Sequence, residues 1–283
     1  MNIFKLLSAL AEADPAVYER PSVRRTVLSS LGRKAVAALP LAFGAMLPQA
    51  YGRNLRTIQD VLTLALTLEH LENEFYLQAL AQPASFFPTG TRPAIELIQQ
   101  HEAQHVAFLT TVIRSSGAEV PAKPNFDFTG SKNGATAAVF PTVFQNFDDF
   151  LKVAQTLEDA GVRAYKGQLG FLSTDNALLQ AALRIHAVEA RHASHIRSMR
   201  RSRGAAVKSW ISESDASITV PGKTEVVYAG ENSQVQTLPS GLPVPFSTLP
   251  IGSGANILKA VAEAFDEPVT AEVATDLVSL FVY

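Results

Sequence analysis

Two Glu-x-x-His pairs stand out in the chain: Glu102 and His105 within QHEAQHVAFL, and Glu189 and His192 within VEARHASHIR. A carboxylate and an imidazole three residues apart lie one helical turn from each other, on one side. They can hold a metal ion, exchange protons, or sit idle on a solvated face. Position decides among these. Read as a helix, Ile95, Ile98, Glu102, Val106 and Leu109 share one stripe of the 3.6-residue period. A carboxylate in an apolar stripe is costly unless it is paired or bound to metal.

Glu102 and Glu189 have partners of the same kind. LEHLENEFY (68–76) is echoed by LEDAGVRAY (157–165), which aligns Glu69 with Glu158 and Tyr76 with Tyr165. Each of the four glutamates is central in a mostly apolar stripe. At i−7 stand Leu62, Ile95, Leu151 and Ala182; at i−4 stand Ala65, Ile98, Ala154 and Ile185. The chain thus reads as a diverged internal repeat that aims four carboxylates and two imidazoles at one axis. Four carboxylates crowded in an apolar interior would be forced to protonate. Two divalent cations would cancel their four charges, and oxygen donors with imidazole suit iron or manganese. The ligand set expected is Glu69, Glu102, His105, Glu158, Glu189 and His192. No catalytic residue beyond these is expected, nor any organic cofactor.

Further residues enter around this set. Glu72 competes with Glu69 from one turn on, as an additional or shuttling ligand, although its repeat mate is Gly161. Tyr76 and Tyr165 lie two turns beyond their glutamates, as partners of the ligands or as packing residues. His186 is near enough to the stripe to contact a ligand. His70, His101 and His195 read as ordinary surface or boundary histidines.

The elements that must position these residues are four helical segments, roughly 56–81, 92–116, 146–171 and 176–203. A Pro/Gly/Asn-rich stretch, 121–142, separates the second from the third and is too long for a tight turn. Two helical hairpins joined by one long crossover make an all-α, antiparallel four-helix bundle over 54–204. An N-terminal segment, 1–53, precedes it and a C-terminal extension, 205–283, follows. In the extension, β-branched runs around Pro221-Gly222 suggest a hairpin or extended arm, and residues 255–265 and 270–283 read as two short helices. Leu64, Leu68, Leu71 and Phe75 form a second apolar stripe opposite Glu69, which must be covered by the extension, an N-terminal helix or, in a homodimer, a second subunit.

Composition sets the outer bounds. The absence of cysteine excludes disulfides, zinc-thiolate sites, iron–sulfur clusters and thiol catalysis. A net charge of −2 gives no bulk basic surface for nucleic acid, and the arginines that close the fourth helix suit its dipole. The apolar run at 35–50 is too short and too interrupted by proline for a stable membrane span. Preceded by Arg24-Arg25, it resembles a twin-arginine export signal, with Val27 where that motif carries Phe. The expectation is a periplasmic or exported protein; a retained helix in a cytoplasmic protein is the alternative.

LEHLENEFY, HEAQHVAFL, LEDAGVRAY and VEARHASHIR together resemble the ferritin-like superfamily, specifically bacterial ferritin-like domain proteins of the desiccation-related type. The resemblance covers roughly 54–203. It implies a di-metal centre, two Fe or alternatively two Mn, and a protective oxidoreductase chemistry on oxygen or peroxide, such as Fe(II) oxidation. A manganese catalase-like peroxide disproportionation is the rival activity. A structural or binding protein without turnover is the rival of another class.

Overall fold

Three of the four bundle helices begin at a side-chain cap, and the other begins at a proline turn. The computed structural model describes residues 57–237, 242–248 and 254–283. Helix α1, Ile58–Leu80, starts at Thr57, whose hydroxyl accepts from Asp60 N at 3.1 Å while the Asp60 carboxylate accepts from Thr57 N at 2.9 Å. Helix α2, Arg92–Ser115, carries Pro93 in its first turn, where a missing N–H costs nothing. Asn146 and Asp175 cap α3, Phe147–Gln168, and α4, Asn176–Ser202, each accepting from two backbone amides. The four segments expected from periodicity are these four helices. The N-terminal segment 1–53, with its export motif, lies outside the described residues.

α1 packs on α2 and α3 on α4, and the long crossover joins the two hairpins. The result is the expected all-α four-helix bundle with one long connection. Its apolar interior is in two clusters. One holds Tyr76, Ile95, Ile98, Leu151 and Ile196, and the other holds Leu62, Leu109, Tyr165, Ala182 and Ile185. The four stripe glutamates are fully buried at the same level of their helices, with one cluster toward each end.

The extension is less regular than the bundle and differs from the expectation in one place. No strand forms around Pro221-Gly222; the chain there makes short 3-10 turns at Glu213–Ile218 and Glu225–Tyr228. The strands are β1, Val235–Thr237, and β2, Pro243–Pro245, paired antiparallel. Proline is tolerated in such a two-stranded ribbon because each strand has a free edge. Two short helices, α5 at Ala255–Ala262 and α6 at Ala271–Ser279, follow as expected.

Helix α6 lies against α1 and α3. Its Ala271, Ala274 and Val278, with Phe281 beyond, bury the α1 stripe of Leu64, Leu68, Leu71 and Phe75. Crossover rings join them, Phe128 meeting Phe75 at 5.1 Å and Phe281 at 5.7 Å between centroids. The stripe that invited a second subunit is therefore covered within the chain, and it gives no support to a homodimer.

Buried charge fastens the extension to the bundle. Arg197 reaches both Asp215 oxygens at 2.9 Å and Asp159 at 2.5 Å, and the Tyr228 hydroxyl donates to Asp159 at 2.7 Å. Gln155 donates to Asp215 at 2.9 Å and accepts from Arg200 at 2.5 Å. The sequence reading left Arg197 and Arg200 to the helix dipole alone; both side chains are buried in this network. On α3, Arg163 donates to the Val227, Ala229 and Glu267 carbonyls of the extension. Exposed pairs such as Lys152–Asp149 contribute at most about 1 kcal/mol, whereas stranding a buried carboxylate by removing its arginine costs about 3–5 kcal/mol. The buried pairs dominate.

Gly167 sets the closest approach. A Cβ added there would lie 2.0 Å from the Val269 carbonyl oxygen, so only glycine lets the extension backbone pass. Gly167→Ala should lower stability by about 1–3 kcal/mol or more in urea unfolding, as overpacking does. Limited proteolysis should cut its extension faster than the bundle. An unchanged unfolding midpoint would contradict this docking.

Candidate metal centre

The helices bring all four stripe glutamates to one level. Glu69, Glu102, Glu158 and Glu189 each have 0 % exposure, and His192 is buried with them. Donor atoms fall into two groups, each within a 4.8 Å span: Glu69, Glu102, His105 and Glu189 in one, and Glu102, Glu158, Glu189 and His192 in the other. Glu102 and Glu189 belong to both. The internal repeat therefore builds two four-donor sites that share two carboxylates.

The contacts follow the repeat. His105 Nδ1 lies 3.0 Å from Glu69, 3.1 Å from Glu102 and 3.2 Å from Glu189. His192 Nδ1 lies 2.8 Å from Glu102, 3.4 Å from Glu158 and 3.8 Å from Glu189. The tyrosines cross over between halves: Tyr76 on α1 donates to Glu158 on α3, and Tyr165 on α3 donates to Glu69 on α1. Burial, followed by the charge of its glutamate, pushes each phenol well above its ordinary range, so both stay protonated and can donate.

Electrostatics in the bare protein show what the cluster lacks. Burial and the neighbouring Glu189 charge raise Glu102 far above the carboxylate range, and burial raises Glu158 to about 7. Burial opposes charge on His105, but the carboxylates of Glu102, Glu189 and Glu69 close around it push it up to about 12. His192 is raised as well, its burial being overcome chiefly by Glu158 and Glu102. Burial would likewise lift Glu189, yet the two imidazoliums hold it at about 2. Protons on two imidazoles thus supply the positive charge that the carboxylates require.

These protons satisfy the cluster incompletely. Glu102 Oε1, Glu158 Oε2 and both Glu189 oxygens are buried without a hydrogen-bond partner, and so is His192 Nδ1 despite lying 2.8 Å from Glu102. Close approach without hydrogen-bond alignment is what donors aimed at a common point produce. Carboxylate oxygens with imidazole nitrogen, four to a group, form a donor set that fits iron or manganese. The residues present fit a pair of such ions.

The neighbours sort differently from the sequence reading. Glu72 lies outside both four-donor groups but is buried beside them, its Oε2 unpaired. Burial and then the charges of Glu189 and Glu158 raise it well above its ordinary range. Its repeat mate explains the fit: a Cβ on Gly161 would meet Glu72 Oε1 at 2.9 Å. His186 is not at the centre; its Nδ1 lies 3.0 Å from the Val162 carbonyl. His195 is exposed, as expected, and His70 is half-buried, with no contact to the cluster.

His101 is the residue that sequence reasoning missed. Its Nδ1 lies 2.9 Å from His192 Nε2, the rings stacked at 5.2 Å between centroids. Burial and the adjacent His192 charge lower its pKa, so it stays neutral and accepts the Nε2 proton. That contact fixes the His192 tautomer that leaves Nδ1 facing the carboxylates. The signal was weak: one residue before Glu102 is about 100° round the helix. The packing of α4 against α2, not the stripe, brings His192 to it.

No curated protein shows significant similarity to the chain. A family model for the ferritin-like domain matches residues 57–202, the stretch that begins at the α1 cap and ends with α4. With the bundle and its buried carboxylate–histidine cluster, this match places the chain in the ferritin-like domain family.

Proposed function

We propose that the centre holds two metal ions, iron in the first instance, and that the chain is a protective oxidoreductase acting on dioxygen or peroxide, most simply by oxidising Fe(II). The observation that carries this reading is the pair of four-donor groups sharing Glu102 and Glu189. Glu69 and His105 complete one site; Glu158 and His192 complete the other. Iron held there would supply the electrons for reducing dioxygen or peroxide. Bound manganese with the same donors would favour peroxide disproportionation, the second reading.

The protein's own groups do the rest. Tyr165 and Tyr76 hold Glu69 and Glu158 in place through hydrogen bonds from the opposite half of the repeat. His105 and His192 give up their protons on metal uptake, so affinity rises with pH. Glu72, kept neutral by burial and by the surrounding carboxylates, holds a proton beside the centre. The two apolar clusters keep bulk water from both ends. The twin-arginine-like stretch supports export to the periplasm as the setting.

Anaerobic titration should saturate at about two Fe(II) per chain with release of protons, and admission of air should then consume oxygen, as expected of a two-metal centre. The Glu102→Ala/Glu189→Ala double variant should do neither. Saturable metal uptake with no turnover of oxygen or peroxide would leave only the structural reading. His101→Ala should weaken metal binding by about 10–100-fold, as loss of a supporting contact to a ligand imidazole does. Unchanged affinity in that variant, by competition with a chromophoric chelator, would remove His101 from the centre.

A further inference from the structure

Between α3, α4 and the extension lies a cavity of about 270 Å³, partly open to solvent. An engineered cavity of about 150 Å³ holds benzene, so this one has room for a ring and a short side chain. Asp159, Arg197 and Glu231 of its wall are buried, whereas Trp210 is 54 % and Phe265 41 % exposed. Charged groups thus stand at the inner end and two aromatic rings at the mouth. Both rings are held in place. The Trp210 indole donates to Glu263 at 2.8 Å, which Lys208 holds in turn, and Phe265 stacks on buried Phe246 at 5.0 Å between centroids. Exposed rings fixed beforehand offer contact area at little entropic cost on binding.

The inner end says more about the guest. Glu231 Oε1 accepts from the Glu267 amide at 2.7 Å and lies 3.0 Å from Arg163 Nε, which leaves Oε2 for a guest. His186, singled out in the sequence and absent from the metal centre, also lines the cavity. Its Nδ1 faces the Val162 carbonyl at 3.0 Å and so carries the ring proton, which makes Nε2 an acceptor. Four carboxylates line the wall, with Glu263 and Asp266 added to Asp159 and Glu231, against one arginine. That arginine, Arg197, is committed to Asp159 and Asp215. Burial, with Arg163 opposing it and Asp266 adding to it, raises Glu231 to about 7. An anion would meet carboxylates here, and a cation would meet acceptors.

We propose that this cavity binds a small arylalkylamine as its ammonium, the ammonium donating to Glu231 with His186 as a further acceptor, and the ring lying against Trp210 and Phe265. Charge-assisted hydrogen bonds fix the head, and the aromatic mouth selects the body. The site goes beyond the di-metal reading and does not rest on it, because no residue of either four-donor group lines the cavity.

Trp210 is the only tryptophan in the chain, so its fluorescence reports on the cavity directly. Titrations of the full chain at neutral pH, metal-free and metal-loaded, would compare 2-phenylethylammonium, 2-phenylethanol and 3-phenylpropanoate, which share a ring and differ in charge. The ammonium should change the emission saturably in both forms. The alcohol should bind about tenfold more weakly, the loss of one charge-assisted hydrogen bond, and the carboxylate more weakly still. Glu231→Gln, of the same shape, should bring the ammonium down to the affinity of the alcohol. Ala264→Phe, at an exposed position of the wall, should abolish binding of the ammonium while metal stoichiometry stays at the wild-type value. If circular dichroism shows Glu231→Gln to be misfolded, Ala264→Phe and the three-guest comparison carry the test.

No saturable change with the ammonium, or an alcohol or carboxylate that binds as tightly, would overturn the proposal. So would a wild-type preference for the ammonium in folded Glu231→Gln, or ammonium affinity unchanged in Ala264→Phe. Failure of the metal reading would appear separately, as absent metal uptake with ammonium binding intact.

Discussion

Four glutamates with no exposure to water share one level of a helical bundle, and the rest of the molecule is arranged around that fact. Ionised carboxylates so placed each cost several kcal/mol in lost hydration, and their mutual repulsion adds to it. The bare chain answers with two imidazoliums and raised carboxylate pKa values. Even so, oxygens of Glu102, Glu158 and Glu189 stay unpaired. Two divalent cations would remove the imbalance without protonating anything. Burial, shared carboxylates and the crossed tyrosines therefore describe one requirement, met twice by the repeat.

That requirement explains why the surroundings are rigid and why they need the extension. The α1 stripe opposite Glu69 is covered by α6, and α3 is gripped by Arg163 and the passage over Gly167. Arg197 and Arg200 extend the same logic to α4, each drawing a buried polar group of the extension or of α3 toward it. Glu158 and Glu189 stand on these two helices.

Much of this was legible in the residues. The helical segments followed from the period, and Thr57, Asn146 and Asp175 set three of their starts by local capping. The six donors followed from the stripe, because a helix carries residues at i, i+3 and i+7 to one side whatever its neighbours are. What was illegible depended on other helices or on the extension. His101 is off the stripe and meets His192 only through helix packing, while His186, closer to the stripe, turns to a backbone carbonyl. Arg197, which its place near the end of the fourth helix assigns to the helix dipole, is buried because Asp215 of the extension folds back onto it. The β-branched residues near Pro221-Gly222 had strand propensity but no partner strand, and Val235–Thr237 found one among prolines.

Glu102 and Glu189 belong to both donor groups, and the proposed centre would have them shared between two metal ions. Anomalous diffraction from crystals grown with Fe(II) or Mn(II), collected on either side of the metal edge, tests it directly. The account predicts two peaks about 3.5–4 Å apart, the spacing of two-metal sites. Both should contact Glu102 and Glu189, one adding Glu69 and His105 and the other Glu158 and His192. A single peak, or a pair bridged by other residues with Glu102 and Glu189 still bound to protonated imidazoles, would contradict it.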